Sequence, residues 1–233
     1  MININGDLTI MNIDGKNAIV TGASRGIGRS ITEALLAGGA SVAGWSRTAP
    51  EELSHERFTH VKVDLTRQEE VQQAYGKTAE SMGEHIPVLI NNAGVGYKGK
   101  VEEMPVERWK YLFDLNVHGI FYTSRLLIPE MKKRQEGHII NISSGAGTNG
   151  IAGMTCYSAT KHAVVGISRS LHQELRDFGI KVTCLSPGSV ETGFSTSEKN
   201  KLLPEDLAQS VVHILQCRKN FHYPDIQVRP LQP

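Results

Sequence analysis

Short apolar runs alternate with longer amphipathic stretches along the chain. The short runs are rich in Val, Ile and Leu and end at Gly, Pro, Asn or Ser, which predicts buried β-strands. The longer stretches repeat their apolar positions with helical spacing, which predicts helices between the strands. We predict strands at residues 17–22, 40–46, 59–66, 87–94, 138–144, 180–188 and 225–230, and helices at 24–39, 66–83, within 105–137, at 157–179 and at 204–217.

The order of these elements indicates the fold class. Strands that are apolar almost throughout and are separated by helices favour a parallel sheet covered on both faces. We therefore predict an α/β fold, a doubly wound parallel β-sheet with helices on both faces. No linker composition divides the chain, so residues 15–233 are expected to form a single domain, preceded by an N-terminal extension at residues 1–14.

Two details at helix ends can be read from the sequence. Gly38 and Gly39 should close the first helix, because glycine commonly follows the last helical turn. Thr66 and Glu69 have the spacing of a capping box and should open the second helix.

Composition narrows the possible partners and compartments. The 25 basic and 24 acidic residues nearly cancel, so nothing demands nucleic acid or an anionic membrane as a partner. The basic run at residues 132–134 should instead close a helix, where cations complement the helix dipole. No apolar run approaches the roughly 18 residues that cross a bilayer, and the first residues lack signal-peptide features. We expect a cytoplasmic protein.

The three cysteines predict reduced thiols and no metal site. Cys156, Cys184 and Cys217 are odd in number and lack CxxC spacing, which fits an intracellular compartment. Cys184 should be a core residue. Cys156 is expected to pack at the edge of a pocket, with a reactive thiol as the alternative. The nine histidines include no HExxH, so no metal is expected.

The candidate chemistry centres on Tyr157 and Lys161. They stand four residues apart in a helical pattern and should share one face of the helix. A neighbouring ammonium favours the phenolate, so such a Tyr could exchange protons near neutral pH. If Ser144, at the end of the strand before it, reaches the same point, its hydroxyl could hold a substrate oxygen. The three residues suit interconversion of a carbonyl and an alcohol.

A glycine-rich loop follows the first predicted strand. Gly22, Gly26 and Gly28 lie between that strand and the first helix, where glycines permit a tight turn and close approach of a pyrophosphate to the helix N-terminus. The second strand ends in Ser46 and Arg47, without the acid that would hold a ribose 2′-hydroxyl. With Arg25 in the glycine loop, Arg47 could clamp a 2′-phosphate, which favours NADP over NAD.

Together these motifs resemble the short-chain dehydrogenase/reductase family. The chain contains TGASRGIG at 21–28, NNAG at 91–94, LNVHG at 115–119, Ser144, the YxxxK of Tyr157 and Lys161, and PG at 187–188 followed by Thr192, in the order of that family. The resemblance covers about residues 15–194. It implies a single Rossmann-like dinucleotide-binding and catalytic domain.

The resemblance also implies roles for individual residues. Tyr157 would be the general acid/base, and Lys161 would lower its pKa and bind the nicotinamide ribose. Ser144 would orient the carbonyl, and Asn116 would hold the active-site backbone and a water of the proton relay. Asp64 would meet the adenine and Thr192 the carboxamide. The expected cofactor-binding residues are Gly22, Ser24, Arg25, Gly26, Ile27, Gly28, Ser46, Arg47, Asp64, Leu65, Asn91, Ala93, Gly94, Tyr157, Lys161, Pro187, Gly188, Val190 and Thr192.

The substrate is less defined than the cofactor. Tyr97, Met154 and Phe194 come from three loops that should rim the pocket, beside Ser144 and Tyr157, and they suggest a partly apolar substrate. Acyl thioesters, steroid-like or aromatic ketones, sugars and pterins all stay open; a carbonyl or 3-oxoacyl-type reductase is the expected activity.

The chain departs from the family pattern in two places. Few residues lie between Thr192 and the helix near Pro204, where many members carry a longer substrate lid. The chain ends in IQVRPLQP instead of a glycine-rich tail, so a dimer through the helices after the fourth and fifth strands is expected, with a tetramer as the alternative.

Two other functions fit parts of the sequence. GASRG at residues 22–26 formally matches GxSxG and would make Ser24 the nucleophile of a serine hydrolase. Too few strands precede it for that fold. A non-catalytic NADP-binding regulator is the other alternative, although a regulator would not need Ser144, Tyr157 and Lys161 together.

Overall fold

Seven parallel strands form one sheet in the order β3-β2-β1-β4-β5-β6-β7. The computed structural model describes residues 13–192 and 201–231. The strands are β1 Asn17–Thr21, β2 Ser41–Ser46, β3 Phe58–Lys62, β4 Val88–Asn91, β5 Gly137–Ile142, β6 Ile180–Pro187 and β7 Asp225–Val228. The predicted fold class, a Rossmann-like doubly wound parallel sheet, is confirmed.

Within the described ranges, six α-helices alternate with the strands. They are α1 Gly26–Ala37, α2 Gln68–Met82, α3 Val106–Phe113, α4 Gly119–Arg134, α5 Thr155–Leu175 and α6 Pro204–Gln216. A π-helical segment, Asp114–His118, joins α3 to α4. Short 3₁₀ turns lie at Val101–Glu103, Gly145–Gly147 and Arg176–Phe178.

The core has two layers because successive strand residues point to opposite faces of the sheet. Val20 and Ile90 belong to the layer under α1 and α6, whereas Ile19 and Leu89 belong to the layer that includes residues of α2 and α4. The inner strands β4, β5 and β6 are buried along their whole length. The edge strands β3 and β7 alternate between more and less exposed positions, as expected where one side of the strand meets solvent.

Most predicted helix ends match the structure. α1 ends at Ala37, and Gly39 follows with φ +87°, a backbone conformation that suits glycine. The basic run at residues 132–134 fills the last turn of α4. At the start of the chain, residues 1–12 lie outside the described part; Ile13, near the end of the predicted extension, is buried against Gly38.

The predicted capping box at Thr66 is wrong. α2 begins at Gln68, and Arg67 in the N-cap position makes no side-chain cap. The Thr66 hydroxyl and N–H both donate to Asp64 Oδ1, at 2.8 and 3.0 Å. These two hydrogen bonds to Asp64 form a local turn, so the Thr66 hydroxyl does not cap the helix. Short polar side chains bond readily to the backbone two residues on.

Within the residues that the structure describes, no helix combines the length and the apolarity needed to cross a membrane.

Candidate active site

The glycine loop lies between β1 and α1 and is shaped by the absence of side chains. Gly22 and Gly26 have φ of +69° and +56°, which residues with a Cβ rarely adopt. A Cβ added to Gly28 would overlap the Gly22 carbonyl oxygen. Ile27 packs on the core, and Arg25 is exposed at the N-cap of α1. The loop thus presents backbone N–H groups at a helix N-terminus, the arrangement that binds phosphate.

Asn92 joins this loop to the end of β4. Its side-chain amide donates to the Thr21 carbonyl at 2.9 Å, while the Thr21 hydroxyl accepts from the N–H groups of Asn92 and Ala93, each at 3.0 Å. Neither Asn92 nor Thr21 was among the predicted site residues. Their positions could have indicated this role, because an Asn and a Thr at neighbouring strand ends need hydrogen-bond partners for their polar atoms when buried.

Asn91 points into the core. Its amide donates to Asn141 Oδ1 at 2.8 Å, and its own Oδ1 accepts from the Thr123 hydroxyl at 2.7 Å. The side chain therefore connects β4, β5 and α4, and it is not turned towards the edge where a cofactor would lie.

Ser144, Tyr157 and Lys161 meet at the carboxyl end of β5. Ser144 follows β5 and hydrogen-bonds to Tyr157, in the first turn of α5. Tyr157 is 8% exposed and Lys161 5% exposed. Lys161 Nζ donates to the Ile142 carbonyl at 2.8 Å and lies 5.7 Å from the centroid of the Tyr157 ring. Ser144, Tyr157 and Lys161, which were predicted to meet, thus lie together in the structure.

The protonation of this group differs from the sequence expectation. Burial raises the pKa of Tyr157 above 10.0, and the Ser144 hydrogen bond opposes this only in part. The net direction is opposite to the expected lowering of the Tyr157 pKa, because desolvation of the buried phenol is the largest cause of the shift. Burial also lowers the pKa of Lys161 to about 8, so its ammonium still predominates at neutral pH.

Asn116 fastens the loop after β4 to α5. Its side chain accepts from the Val95 N–H and donates to the Val95 carbonyl, both at 2.9 Å, and also donates to the Thr160 hydroxyl at 3.0 Å. Thr160 in turn donates to the Tyr157 carbonyl at 2.8 Å. Asn116 lies in the π-helical segment, a type of bulge that often marks functional sites. Neither the bulge nor Thr160 was predicted.

Two glycines bring the backbone close to these residues with no side chain between. A Cβ added to Gly94 would lie 3.5 Å from Lys161 Nζ, and one added to Gly26 would lie 3.3 Å from Thr192 Cγ2. Among the residues that the structure describes, Ile142 supplies the one hydrogen-bond acceptor of the three-donor Lys161 ammonium. Backbone N–H groups of the glycine loop and the remaining donors of the Lys161 ammonium are the kinds of donor that bind phosphates and ribose hydroxyls.

The other predicted cofactor residues border the same edge. Ser46 ends β2 and donates to the Thr48 carbonyl at 2.7 Å, with His60 Nε2 at 3.2 Å. Arg47 is exposed, and Leu65 is buried in the core. The remaining positions lie at or just beyond the end of β6: Pro187 closes the strand, Gly188 donates to the Val228 carbonyl at 2.7 Å, and Val190 bridges to Leu202.

Two of the three predicted rim residues pack around Tyr157. Tyr97 and Met154 join an apolar cluster that contains Tyr157 and Cys156, and the Gly99 N–H bonds to the Gly153 carbonyl at 2.8 Å between their loops. Phe194 lies outside the described residues. Cys156 is buried, and burial raises the pKa of its thiol. This supports the packing interpretation of Cys156 over a reactive thiol.

The structure offers no support for Ser24 as a nucleophile. Ser24 lies in the turn before α1. In the part of the chain that the structure describes, no histidine or carboxylate hydrogen-bonds to it, so nothing there could take its proton.

Comparisons with known proteins agree with this geometry. A model of the short chain dehydrogenase family matches residues 16–202. An uncharacterized oxidoreductase of Staphylococcus aureus (strain MRSA252) is 34% identical over 226 residues, covering 93% of this chain and 97% of that protein. An uncharacterized oxidoreductase of Staphylococcus saprophyticus is 35% identical over 235 residues, covering 95% of this chain and 100% of that protein.

Solved structures with the same fold carry nicotinamide cofactors. An alcohol dehydrogenase from the archaeon Thermococcus sibiricus, complexed with 5-hydroxy-NADP, has a TM-score of 0.86 at 26% identity and covers 94% of this chain and 98% of its own. A 3-ketoacyl-(acyl-carrier-protein) reductase from Brucella melitensis, complexed with NADH, has a TM-score of 0.89 at 26% identity and covers 94% and 99%. A serine dehydrogenase complexed with NADP+ has a TM-score of 0.86 at 27% identity and covers 91% and 94%.

Fold, site and relatives define an oxidoreductase that acts on CH–OH groups and uses a nicotinamide cofactor. The chain belongs to the short-chain dehydrogenase/reductase family.

Proposed function

We propose that the protein is an NADP(H)-dependent oxidoreductase that interconverts a carbonyl and a secondary alcohol, acting as a carbonyl or 3-oxoacyl-type reductase. The observation that carries this proposal is the hydrogen bond between Ser144 and Tyr157 beside the buried ammonium of Lys161. The similarity to the 3-ketoacyl-(acyl-carrier-protein) reductase of Brucella melitensis supports the 3-oxoacyl class.

The residues divide the work of the reaction. The nicotinamide, when bound, supplies the hydride that reaches the substrate carbon. Ser144 donates to the substrate oxygen, which holds the carbonyl within reach of the Tyr157 hydroxyl. As the electron pair of the C=O bond moves to oxygen, Tyr157 gives that oxygen its proton, because an alkoxide is far more basic than a phenolate. The Lys161 ammonium then stabilises the phenolate.

The raised pKa of Tyr157 suits the direction of reduction. A phenol whose pKa lies above 10.0 is protonated at neutral pH and so starts the cycle as a proton donor. Asn116 holds the Val95 backbone on one side of the group and Thr160 on the other, which ties the loop after β4 to the helix that carries Tyr157 and Lys161.

The preference for NADP rests on the end of β2. Ser46 and Arg47 stand where an NAD-binding protein places an acid, and both Arg47 and Arg25 are exposed. In the described part of the chain, neither arginine forms an ion pair with a carboxylate. Two uncompensated guanidinium groups on this edge favour a 2′-phosphate.

A titration with NADPH and with NADH, followed by nicotinamide fluorescence, tests the proposal. We expect NADPH to bind at least about tenfold more tightly, a difference of about 1.4 kcal/mol. The double variant Arg25→Gln/Arg47→Gln should abolish that preference, whereas Arg134→Gln, on the far end of α4, should retain it. Tighter binding of NADH would contradict the clamp. No binding of either cofactor would contradict the reductase itself.

We further propose a cytoplasmic homodimer through α4 and α5. Val106 and Phe121 are 65% and 51% exposed on α3 and α4, and the three free cysteines fit a reducing compartment. Phe121→Asp should convert the dimer to a monomer in sedimentation experiments, and an unchanged mass would contradict this interface.

A further inference from the structure

Arg229 lies across the carboxyl ends of β5 and β6. It follows β7, and its side chain passes two glycines. A Cβ added to Gly188 would lie 3.2 Å from Arg229 Cδ, and one added to Gly145 would lie 3.0 Å from Arg229 Nη1. Gly145 is the residue directly after Ser144. The guanidinium therefore lies beside the loop that carries the proposed carbonyl-orienting hydroxyl.

Among the described residues, the partners of the positively charged Arg229 are neutral. Nη1 donates to the Ser186 carbonyl at 3.3 Å, and Nη2 donates to Gln227 Oε1 at 3.1 Å. A guanidinium has five N–H donors, so donors remain beyond these two. No carboxylate of residues 13–192 or 201–231 forms an ion pair with Arg229. Arg169, by contrast, pairs with Asp225 at 3.2 Å at the other end of β7.

An uncompensated guanidinium at the rim of a catalytic group is suited to an anionic substrate. Its planar fork matches the two oxygens of a carboxylate, and such charge-assisted pairs are stronger than neutral hydrogen bonds. The single charge of Arg229 balances a monoanion. A phosphate dianion would leave one charge uncompensated, so we favour the carboxylate.

We propose that Arg229 binds a carboxylate of the substrate, so that the enzyme acts on oxo acids and the corresponding hydroxy acids. This inference rests on the proposed function, because it assumes that the substrate carbonyl meets Ser144 and Tyr157. Arg229 would then fix the end of the substrate that does not react, with the carbonyl at the hydroxyl pair.

Paired substrates separate the charge of the carboxylate from the shape of the molecule. The probes are 4-oxopentanoate and 4-formylbenzoate, each compared with its methyl ester. Their reduction by NADPH is measured at low ionic strength with wild type, Arg229→Gln, Arg229→Lys and Arg169→Gln. Arg169→Gln is the matched control, because it removes the same charge beside the same strand. Thermal melting of each variant checks that it is folded.

We expect wild type to favour at least one acid over its ester by about tenfold or more in kcat/KM. Arg229→Gln should lower that ratio by about tenfold, chiefly through KM, and Arg229→Lys should recover part of it. Arg169→Gln should keep the ratio. Equal losses on acid and ester in Arg229→Gln, which a merely structural role of Arg229 would give, would overturn the inference.

The same assay distinguishes the two proposals. Reduction of the esters but not of the acids, abolished by Tyr157→Phe, would overturn the role of Arg229 and leave the reductase intact. NADPH oxidation that no probe accelerates and that Tyr157→Phe does not change would overturn the reductase, and with it the role of Arg229.

Discussion

The two ends of the β5-α5-β6 unit both bury titratable side chains, yet they differ in what surrounds them. At the carboxyl end of β5, Tyr157 and Lys161 lie beside Ser144. At the opposite end, His138 of β5 and His172 of α5 approach His222, with ring centroids 6.1 and 4.6 Å from His222. One helix thus connects two clusters, because α5 runs back across the sheet from the end of β5 to the start of β6.

The histidine end disfavours the protonated form of two of its imidazoles, His138 and His222. Burial, helped by the Lys181 charge, holds the pKa of His138 well below 6.5, and burial lowers the pKa of His222 to about 4. His138 Nδ1 and His172 Nδ1 are buried and have no hydrogen-bond partner among the described residues. His138 Nε2 bonds to the Thr183 hydroxyl at 2.9 Å, and that hydroxyl lies 3.4 Å from His222 Nε2, so hydrogen bonds within the fold hold this cluster together.

The catalytic end combines similar burial with space and donors. Gly94 leaves room beside Lys161, and the Ser144–Tyr157 bond gives the phenol a directed partner. A displaced pKa therefore does not identify a site by itself, since both ends have one. The catalytic end is distinguished by glycines that leave no side chain beside its hydrogen-bond donors. Each prediction below tests this contrast, from the largest expected effect to the smallest.

Tyr157→Phe should lower kcat by a factor of about 100 to 10,000, the usual contribution of a general acid. Phenylalanine keeps the ring but cannot give the substrate oxygen a proton. NADPH affinity, measured by fluorescence titration, should change little, since Lys161 and the glycine loop stay in place. Tyr75→Phe, on α2, is the matched control and should keep wild-type kcat. A wild-type kcat in Tyr157→Phe would contradict the assignment of Tyr157 as the general acid.

The affinity for NADPH should fall as the pH rises through about 8. Lys161 has its pKa lowered to about 8 by burial, so above that pH the amine loses the charge that would hold the cofactor. Dissociation constants from pH 6.5 to 9.5 measure the effect. Lys161→Met should bind NADPH about tenfold or more weakly at pH 7 and lose this inflection. An unchanged inflection in Lys161→Met would assign the titration to another group.

Much of this contrast follows from sequence, and part of it does not. The strands, the glycine loop and the YxxxK spacing were predictable because each depends on local pattern. The π-helical segment around Asn116 was not, because its bonds join Val95 and Thr160, residues distant in sequence. The start of α2 was predicted two residues too early because Thr66 hydrogen-bonds to Asp64 in a turn and does not cap the helix. Residue spacing alone does not decide between a turn and a capping box.

The direction of the Tyr157 pKa shift could not be predicted from the sequence either. The YxxxK spacing correctly places Lys161 beside Tyr157, but it contains no information on burial. Desolvation then reverses the expected direction of the Tyr157 pKa shift. The histidine cluster was invisible for the same reason, since His138, His172 and His222 come together only when the sheet and α5 are assembled.

Acid should destabilise the protein through the histidine end. His222 has a folded pKa of about 4 against an ordinary 6.5, so the unfolded chain binds the proton more readily. The stability is fully present above about pH 6.5 and is lost as the pH falls towards 4. After a discount for partial exposure we expect a loss of about 1–2 kcal/mol.

Urea unfolding at pH 7.5 and pH 5 measures this loss. His222→Gln should show a smaller difference between the two pH values than wild type. His55→Gln, at an exposed histidine, should show the wild-type difference. Equal acid sensitivity in His222→Gln and wild type would mean that another group of the cluster, such as His138, dominates.

Gly166→Ala should have the smallest effect and the opposite sign. Gly166 lies in α5 between the two clusters, and a Cβ there would meet nothing within 4 Å. Alanine should stabilise the helix by about 0.5–1 kcal/mol, because glycine loses more backbone freedom on folding. Gly94→Ala, where a Cβ would lie 3.2 Å from Asn116 Oδ1, should instead weaken NADPH binding. Equal changes in unfolding free energy and in NADPH affinity for the two substitutions would contradict the view that the absence of a side chain beside Lys161 distinguishes the catalytic end.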